Sequence, residues 1–251
     1  MLKKLLEANT GGGRRRVPQV FADFCELTAI TFRNAVDLHR HDARESRHAE
    51  ILASYSDDEV ARFPQMIAEL ILEFEKGFGD HLGHLYMSLD LGNESLGQYF
   101  TPYSVSSLLA KMTIGEQTTA LDNQPFITLH EPSCGSGGMI VAFAEAMDSV
   151  GLNYQRRVHV TAVDLDQTAV HMTYVALTLL HMPAVVVHGN TLTLEEFDVW
   201  PTPAHVLGSW ETKLRTHRST QRAGETPTSA ASSAAEAPPA PMTDDPDRSA
   251  A

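Results

Sequence analysis

The chain has little that would cross-link, anchor or export it. It holds two cysteines in 251 residues, Cys25 and Cys134, which excludes a disulfide-built scaffold and fits a reducing compartment. No apolar run approaches the ~20 residues that a membrane helix needs. The start, Met1-Leu2-Lys3-Lys4-Leu5-Leu6, lacks the apolar core of ~7–15 residues found in a secretion signal. A cytoplasmic protein with no membrane partner is expected. Positive charge is scarce: 19 Lys and Arg face 32 Asp and Glu, a formal net charge of −13. Nucleic-acid affinity comes largely from basic side chains on phosphates, so this chain alone should hold DNA weakly. Either a basic partner supplies the grip or DNA is not the ligand. No metal-ligand set is complete. His39, His41 and His48 lie in a mixed-charge segment without a cysteine or a further spaced ligand, and read as a solvated helix face. From Ser219 onward there is no Leu, Ile, Val or aromatic residue. Such a stretch cannot bury a core and is expected to be disordered.

What remains is ordinary globular material, 43% hydrophobic, in four sections. Residues 1–16 end in Gly11-Gly12-Gly13-Arg14-Arg15-Arg16 and read as a flexible basic arm. Residues 17–90 read as helical: Val20, Phe21, Phe24 and Leu27 recur at helical spacing, as do Ile67, Leu70, Ile71, Phe74 and Phe78. Ser56-Asp57-Asp58-Glu59 has the form of a capping box. Residues 91–217 read as α/β, with a helix from Ser104 and strands at 126–129, 158–163 and 184–187. A helix over Thr168–His181 lies between the last two, and the alternation predicts a parallel sheet. Residues 218–251 form the tail.

The most informative stretch is Glu131-Pro132-Ser133-Cys134-Gly135-Ser136-Gly137-Gly138-Met139. It joins the first strand to a helix over Ile140–Met147. Glycines permit positive φ and close approach of a ligand to the main chain. The helix start adds free N–H groups and partial positive charge. Glu131 would repel a phosphate and suits a cationic or hydroxyl-rich ligand. Ligands of such sheets bind outside the carboxyl ends of the strands, where Glu131, Ser133, Cys134, Gly135, Ser136, Gly137, Asp164 and Asn190 all fall. Asp164 can take two ribose hydroxyls, and Asn190 stands within reach of an adenine edge. Asp166 reads as the N-cap of the helix that follows, and Cys134 as a small packing thiol.

A second motif, Gly97-Gln98-Tyr99-Phe100-Thr101-Pro102, lies upstream. With Asp80–Tyr86, Ala162–Asp166 and His188–Leu192, the chain resembles adenine-N6 DNA methyltransferases, specifically the modification subunits of type I restriction systems. The resemblance covers roughly Asp80 to Leu194. It implies a Rossmann-like methyltransferase sheet over 91–217 and S-adenosylmethionine (SAM) as cofactor. The methionine end of SAM would lie near Tyr99, Phe100, Thr101, Pro102 and the glycine-rich loop. It also implies partners, a specificity or restriction subunit.

The family's Asn/Asp-Pro-Pro-aromatic motif, which holds the flipped adenine, is not in this sequence. The nearest segment is Phe197-Asp198-Val199-Trp200-Pro201-Thr202-Pro203, whose start resembles strand four but which offers no Asn. Catalytic residues are therefore unassigned. The sheet reads as truncated, with its missing part flanking strand one. Leu207–Leu214, a partner chain or self-association would cover that edge. The truncation also reads as a degenerate remnant of a longer gene. Three functional readings follow: a SAM-dependent DNA methyltransferase, a SAM-binding regulatory or decoy subunit, and a methyltransferase for a small molecule or protein, against which the Gln-Tyr-Phe-Thr-Pro resemblance speaks.

Overall fold

The computed structural model describes residues 1–89 and 100–224. By contacts the chain divides into two units, Met1–Thr212 and Lys213–Ala251. Six helices come first: α1 (Leu2–Ala8), α2 (Val17–Asn34), α3 (His41–Leu52), α4 (Asp57–Val60), α5 (Arg62–Glu75) and α6 (His81–Ser88). Then follow α7 (Tyr103–Asn123), β1 (Ile127–Glu131), α8 (Gly138–Ser149), α9 (Tyr154–Arg157), β2 (Val158–Asp164), α10 (Gln167–Leu179), β3 (Ala184–Asn190) and β4 (Glu195–Pro201). Helices α11 (Pro203–Leu207) and α12 (Trp210–Gly224) close the described chain. Among the described residues no helix is long and apolar enough to cross a membrane.

The sheet order is β1-β2-β3-β4. β1 to β3 are parallel, as the βαβ alternation predicts. Their crossovers are built from apolar helices: α8 buries Ile140, Val141, Phe143 and Met147, and α10 buries Val170, Met172, Tyr174 and Leu177. α7 packs on α8, and α2 on α10. The cap motifs form as read. Ser56 and Glu59 complete the capping box of α4, and Asp166 accepts from the N–H groups of Thr168 and Ala169 to start α10.

The structure corrects five expectations. The arm at 1–16 is packed rather than flexible. Leu2 and Leu6 are buried, the Asn9 amide donates to the Glu59 carbonyl, and Arg15 pairs with Glu59 and lies over the Tyr55 ring. The basic segment around α3 is not a solvated face throughout. Arg44 is buried, donating to Asn34 and to both the carbonyl and the carboxylate of Asp37. Beside it, Arg33 pairs with Asp37, approaches Asp198 of β4 and covers the Trp200 ring. Third, Phe197-Asp198-Val199 does fall in a fourth strand, but that strand is not parallel to the others. β4 runs antiparallel to β3 on the far side of the sheet from β1. Fourth, Leu207–Leu214 supplies no strand to the edge of β1: Trp210 packs edge-on against Phe126, just before β1, and at a tilt against His159 of β2. Among the described residues, β1 therefore pairs on one side only. Fifth, helix α12 continues to Gly224, into the stretch read as tail.

Candidate functional site

The glycine-rich loop leaves β1 and is held at several points by its neighbours. Cys134 N–H donates to the Val163 carbonyl at 2.9 Å, which fixes the loop to the end of β2. The Thr173 hydroxyl of α10 donates to the Gly135 carbonyl at 2.9 Å. Gly135 and Gly137 have φ of +55° and +84°, a region that side chains with a Cβ avoid. A Cβ on Gly135 would stand 2.9 Å from the Phe100 ring. Gly135→Ala should therefore lower the melting temperature by about 2–8 °C, since an L residue there costs ~1–2 kcal/mol before any clash. Differential scanning calorimetry reads this. An unchanged midpoint would show that Phe100 yields freely and does not wall the site.

The loop borders a cavity of about 320 Å³ at the carboxyl ends of β1 and β2, the position expected for such a sheet. Of the residues read from sequence, Phe100, Thr101, Glu131, Ser133, Cys134, Gly135, Ser136 and Asp164 line it. Asp164 Oδ2 accepts from Gly135 N–H at 2.8 Å and Oδ1 from Asp166 N–H at 2.9 Å. Each oxygen keeps a further lone pair for a ligand hydroxyl. Cys134 is buried and its thiol is pushed up to about 12 by that burial, so it acts as packing, not as a nucleophile.

Four residues stand elsewhere. Pro102 lines an adjoining cavity of about 290 Å³ that shares Asp80, Phe100 and Thr101 with the first. Gly137 caps α8. Asn190 is not among the lining residues, and its side-chain oxygen accepts from Leu192 and Thr193 N–H groups in the turn after β3. Tyr99 lies outside the described residues.

Five lining residues were not read as site residues from the sequence: Gly138 and Met139 at the end of the glycine-rich stretch, Ala169 of α10, Ser106, and Asp80, which opens the Asp80–Tyr86 segment. Asp80 caps α6 through Gly83 N–H at 2.9 Å and receives the Ser136 hydroxyl at 2.6 Å. Burial raises its carboxyl above the usual range despite both bonds. The Asp80-His81-Leu82-Gly83 sequence carries an Asx-cap signal, but nothing local says what the cap faces. Ser106 carries no sequence signal at all. The wall is thus three carboxylates, from Asp80, Glu131 and Asp164, with no Lys or Arg. Such a site repels phosphate and accepts a cationic, hydroxyl-bearing molecule. Among the described residues, no group of His, Cys, Asp and Glu could hold a metal ion.

Comparison with known proteins agrees with this chemistry. Residues 79–213 match the N-6 DNA Methylase family. The type I restriction enzyme MpnII methylase subunit of Mycoplasma pneumoniae is 25% identical over 134 residues, 50% of this chain and 23% of that protein. The chain therefore spans about a quarter of that relative's length. A putative class I SAM-dependent methyltransferase from Listeria monocytogenes superposes over 76% of this chain and 53% of its own, at 10% identity and a TM-score of 0.44. SAM carries a sulfonium, an ammonium and a ribose diol. The acidic wall and the free lone pairs of Asp164 fit it. The family match covers more than half of the sequence: this chain belongs to the N-6 DNA methylase family, whose cofactor is SAM.

Proposed function

We propose that the chain is the cofactor-holding part of an adenine-N6 DNA methyltransferase of the type I modification kind. The observation that carries this reading is the acidic cavity against the glycine-rich loop. In it, Asp164 takes the ribose hydroxyls and the methionine end lies against Phe100 and Thr101. Bound there, SAM supplies the methyl group. The residues of this chain orient it, and the apolar packing beneath the loop keeps water from its underside.

In this reading the adenine-holding half comes from outside these residues. The sequence contains no Asn/Asp-Pro-Pro-aromatic motif. The segment nearest to it lies in β4, across the sheet from β1. A surface for a partner exists beside the cofactor cavity. Val105, Leu108, Leu109 and Met112 of α7 are exposed, at 44%, 61%, 45% and 68%, and form one apolar stripe at helical spacing. Their helix packs on α8, which follows β1 and the glycine-rich loop in the chain. A contiguous exposed apolar stripe is the usual mark of an interface.

The second reading is a SAM-binding decoy or regulatory subunit, favoured by the net charge of −13, which suits a rival of DNA better than a ligand of it. One experiment separates the two. DNA is incubated with SAM and the purified chain, with and without specificity and modification subunits of a type I system, and N6-methyladenine is counted by mass spectrometry. The chain alone should give none, because loss of transition-state hydrogen bonds costs ~10²–10³ in rate for each donor or acceptor. Methylation that needs both this chain and an added subunit supports the first reading. Suppression of a complete complex supports the decoy. Robust methylation by the chain alone would refute both.

A further inference from the structure

A buried hydroxyl with no partner lines the cavity. Ser106, in the first turns of α7, is 1% exposed, and its Oγ makes no hydrogen bond. Nearly all buried hydroxyls in folded proteins are satisfied, so such an orphan calls for an explanation. Helical serines usually donate to the carbonyl four residues back, and Ser106 does not.

A carboxylate from another helix lines the same cavity. Asp80 accepts from Ser136 and Gly83, yet no Lys or Arg lines the cavity to neutralise it. A carboxylate has about four lone-pair sites, so two bonds leave it able to take more. Its burial disfavours the charge, and a bound cation would relieve that. Both residues line the cavity together with Phe100 and Thr101, and Asp80 shares the adjoining cavity with those two as well.

We infer that Asp80 and Ser106 together form the subsite for the amino-acid end of the cofactor, Asp80 accepting from its ammonium group and the Ser106 hydroxyl donating to its carboxylate. This rests on the reading of the cavity as the SAM site. An acceptor-only side chain and an orphan donor match the two poles of a zwitterion. The subsite also gives the cavity a selectivity. Adenosine derivatives without an amino-acid end would bind, but would leave Ser106 unsatisfied and Asp80 unneutralised.

The test compares two ligands with the same neutral sulfur, S-adenosylhomocysteine and 5′-methylthioadenosine, which differ in the amino-acid end alone. Calorimetry on the full chain should show the first binding at least about tenfold more tightly. Asp80→Asn and Ser106→Ala should each reduce that ratio several-fold and leave 5′-methylthioadenosine unchanged. Asp164→Ala should weaken both ligands and keep the ratio. Asn is itself a good N-cap, so Asp80→Asn keeps the start of α6, and its melting temperature should be no lower than wild type. Ser106→Ala removes one unpaired atom and serves if Asp80→Asn fails to fold. Variants that retain the full ratio, or that lose both ligands equally, would overturn the subsite while the cavity reading stands. Wild type that binds neither ligand would overturn the cavity reading and the subsite with it.

Discussion

Asp164→Ala should weaken SAM binding by about tenfold to a hundredfold. A hydrogen bond to a charged group is worth ~1.5–3 kcal/mol, and each ~1.4 kcal/mol is a factor of ten. The carboxylate loses two things at once: the ligand hydroxyls and its grip on Gly135 N–H, 2.8 Å away. That amide belongs to the loop that shapes the cavity, so the loss falls on preorganisation as well as contact. Asp166→Ala is the informative control. It removes the cap of α10, which costs ~1 kcal/mol of stability, while its carboxylate is not among the cavity's lining residues. The pair should therefore separate cleanly, with affinity lost in the first and melting temperature in the second. Isothermal titration and thermal melting on both variants read this out. Undiminished SAM affinity in Asp164→Ala would remove that residue from the site.

Acid should destabilise the fold well before the carboxylates titrate. His171 sits in α10 at 2% exposure, against the edge of Trp200 with ring centroids 4.9 Å apart, and its Nε2 has no partner. Burial lowers its pKa to about 4 from an ordinary 6.5. The folded state thus refuses a proton that the unfolded chain accepts. Stability from this group is fully present above the unfolded value and is lost as pH falls from 6.5 toward 4, about 3 kcal/mol across the window. His205, also lowered by burial, acts in the same direction. Carboxylates held low, such as Glu59 by the Ser56 N–H, contribute only below their own range. Urea unfolding at about pH 7 and about pH 5 should show a clear drop for wild type and a smaller one for His171→Leu. Equal drops would mean that His171 finds a proton-accepting route in the folded state.

The parts of the molecule coded by neighbours in sequence were legible, and those coded by distant contact were not. The loop, its flanking strand and helix, the capping box at Ser56 and the cap at Asp166 each need only a few adjacent residues. Most of the cavity wall came with them. The arm was misread because two leucines, Leu2 and Leu6, are too few for a periodic signal, and their burial depends on α5 and α2. The direction of β4 was legible but missed. Four residues, 191–194, separate β3 from β4. A parallel crossover needs a dozen or more, whereas an antiparallel return needs only a few. Leu194 turns the chain with φ of +61°. Asp80 opens a segment that carries the resemblance and Ser106 belongs to no motif, but in neither case does the local sequence say what the side chain faces; only packing brings them to the site.

The bond from Ser136 to Asp80 spans 56 residues of sequence. Closing so long a segment carries an entropic cost that local caps do not. Helix α6 can begin with its own Asp80–Gly83 cap early in folding, because that contact is three residues long. The cavity wall exists only after the distant join is made. Contacts of this kind tend to form late, so cofactor affinity should report the fraction of chains that have completed folding, and a nascent or half-folded chain should take up no SAM at all.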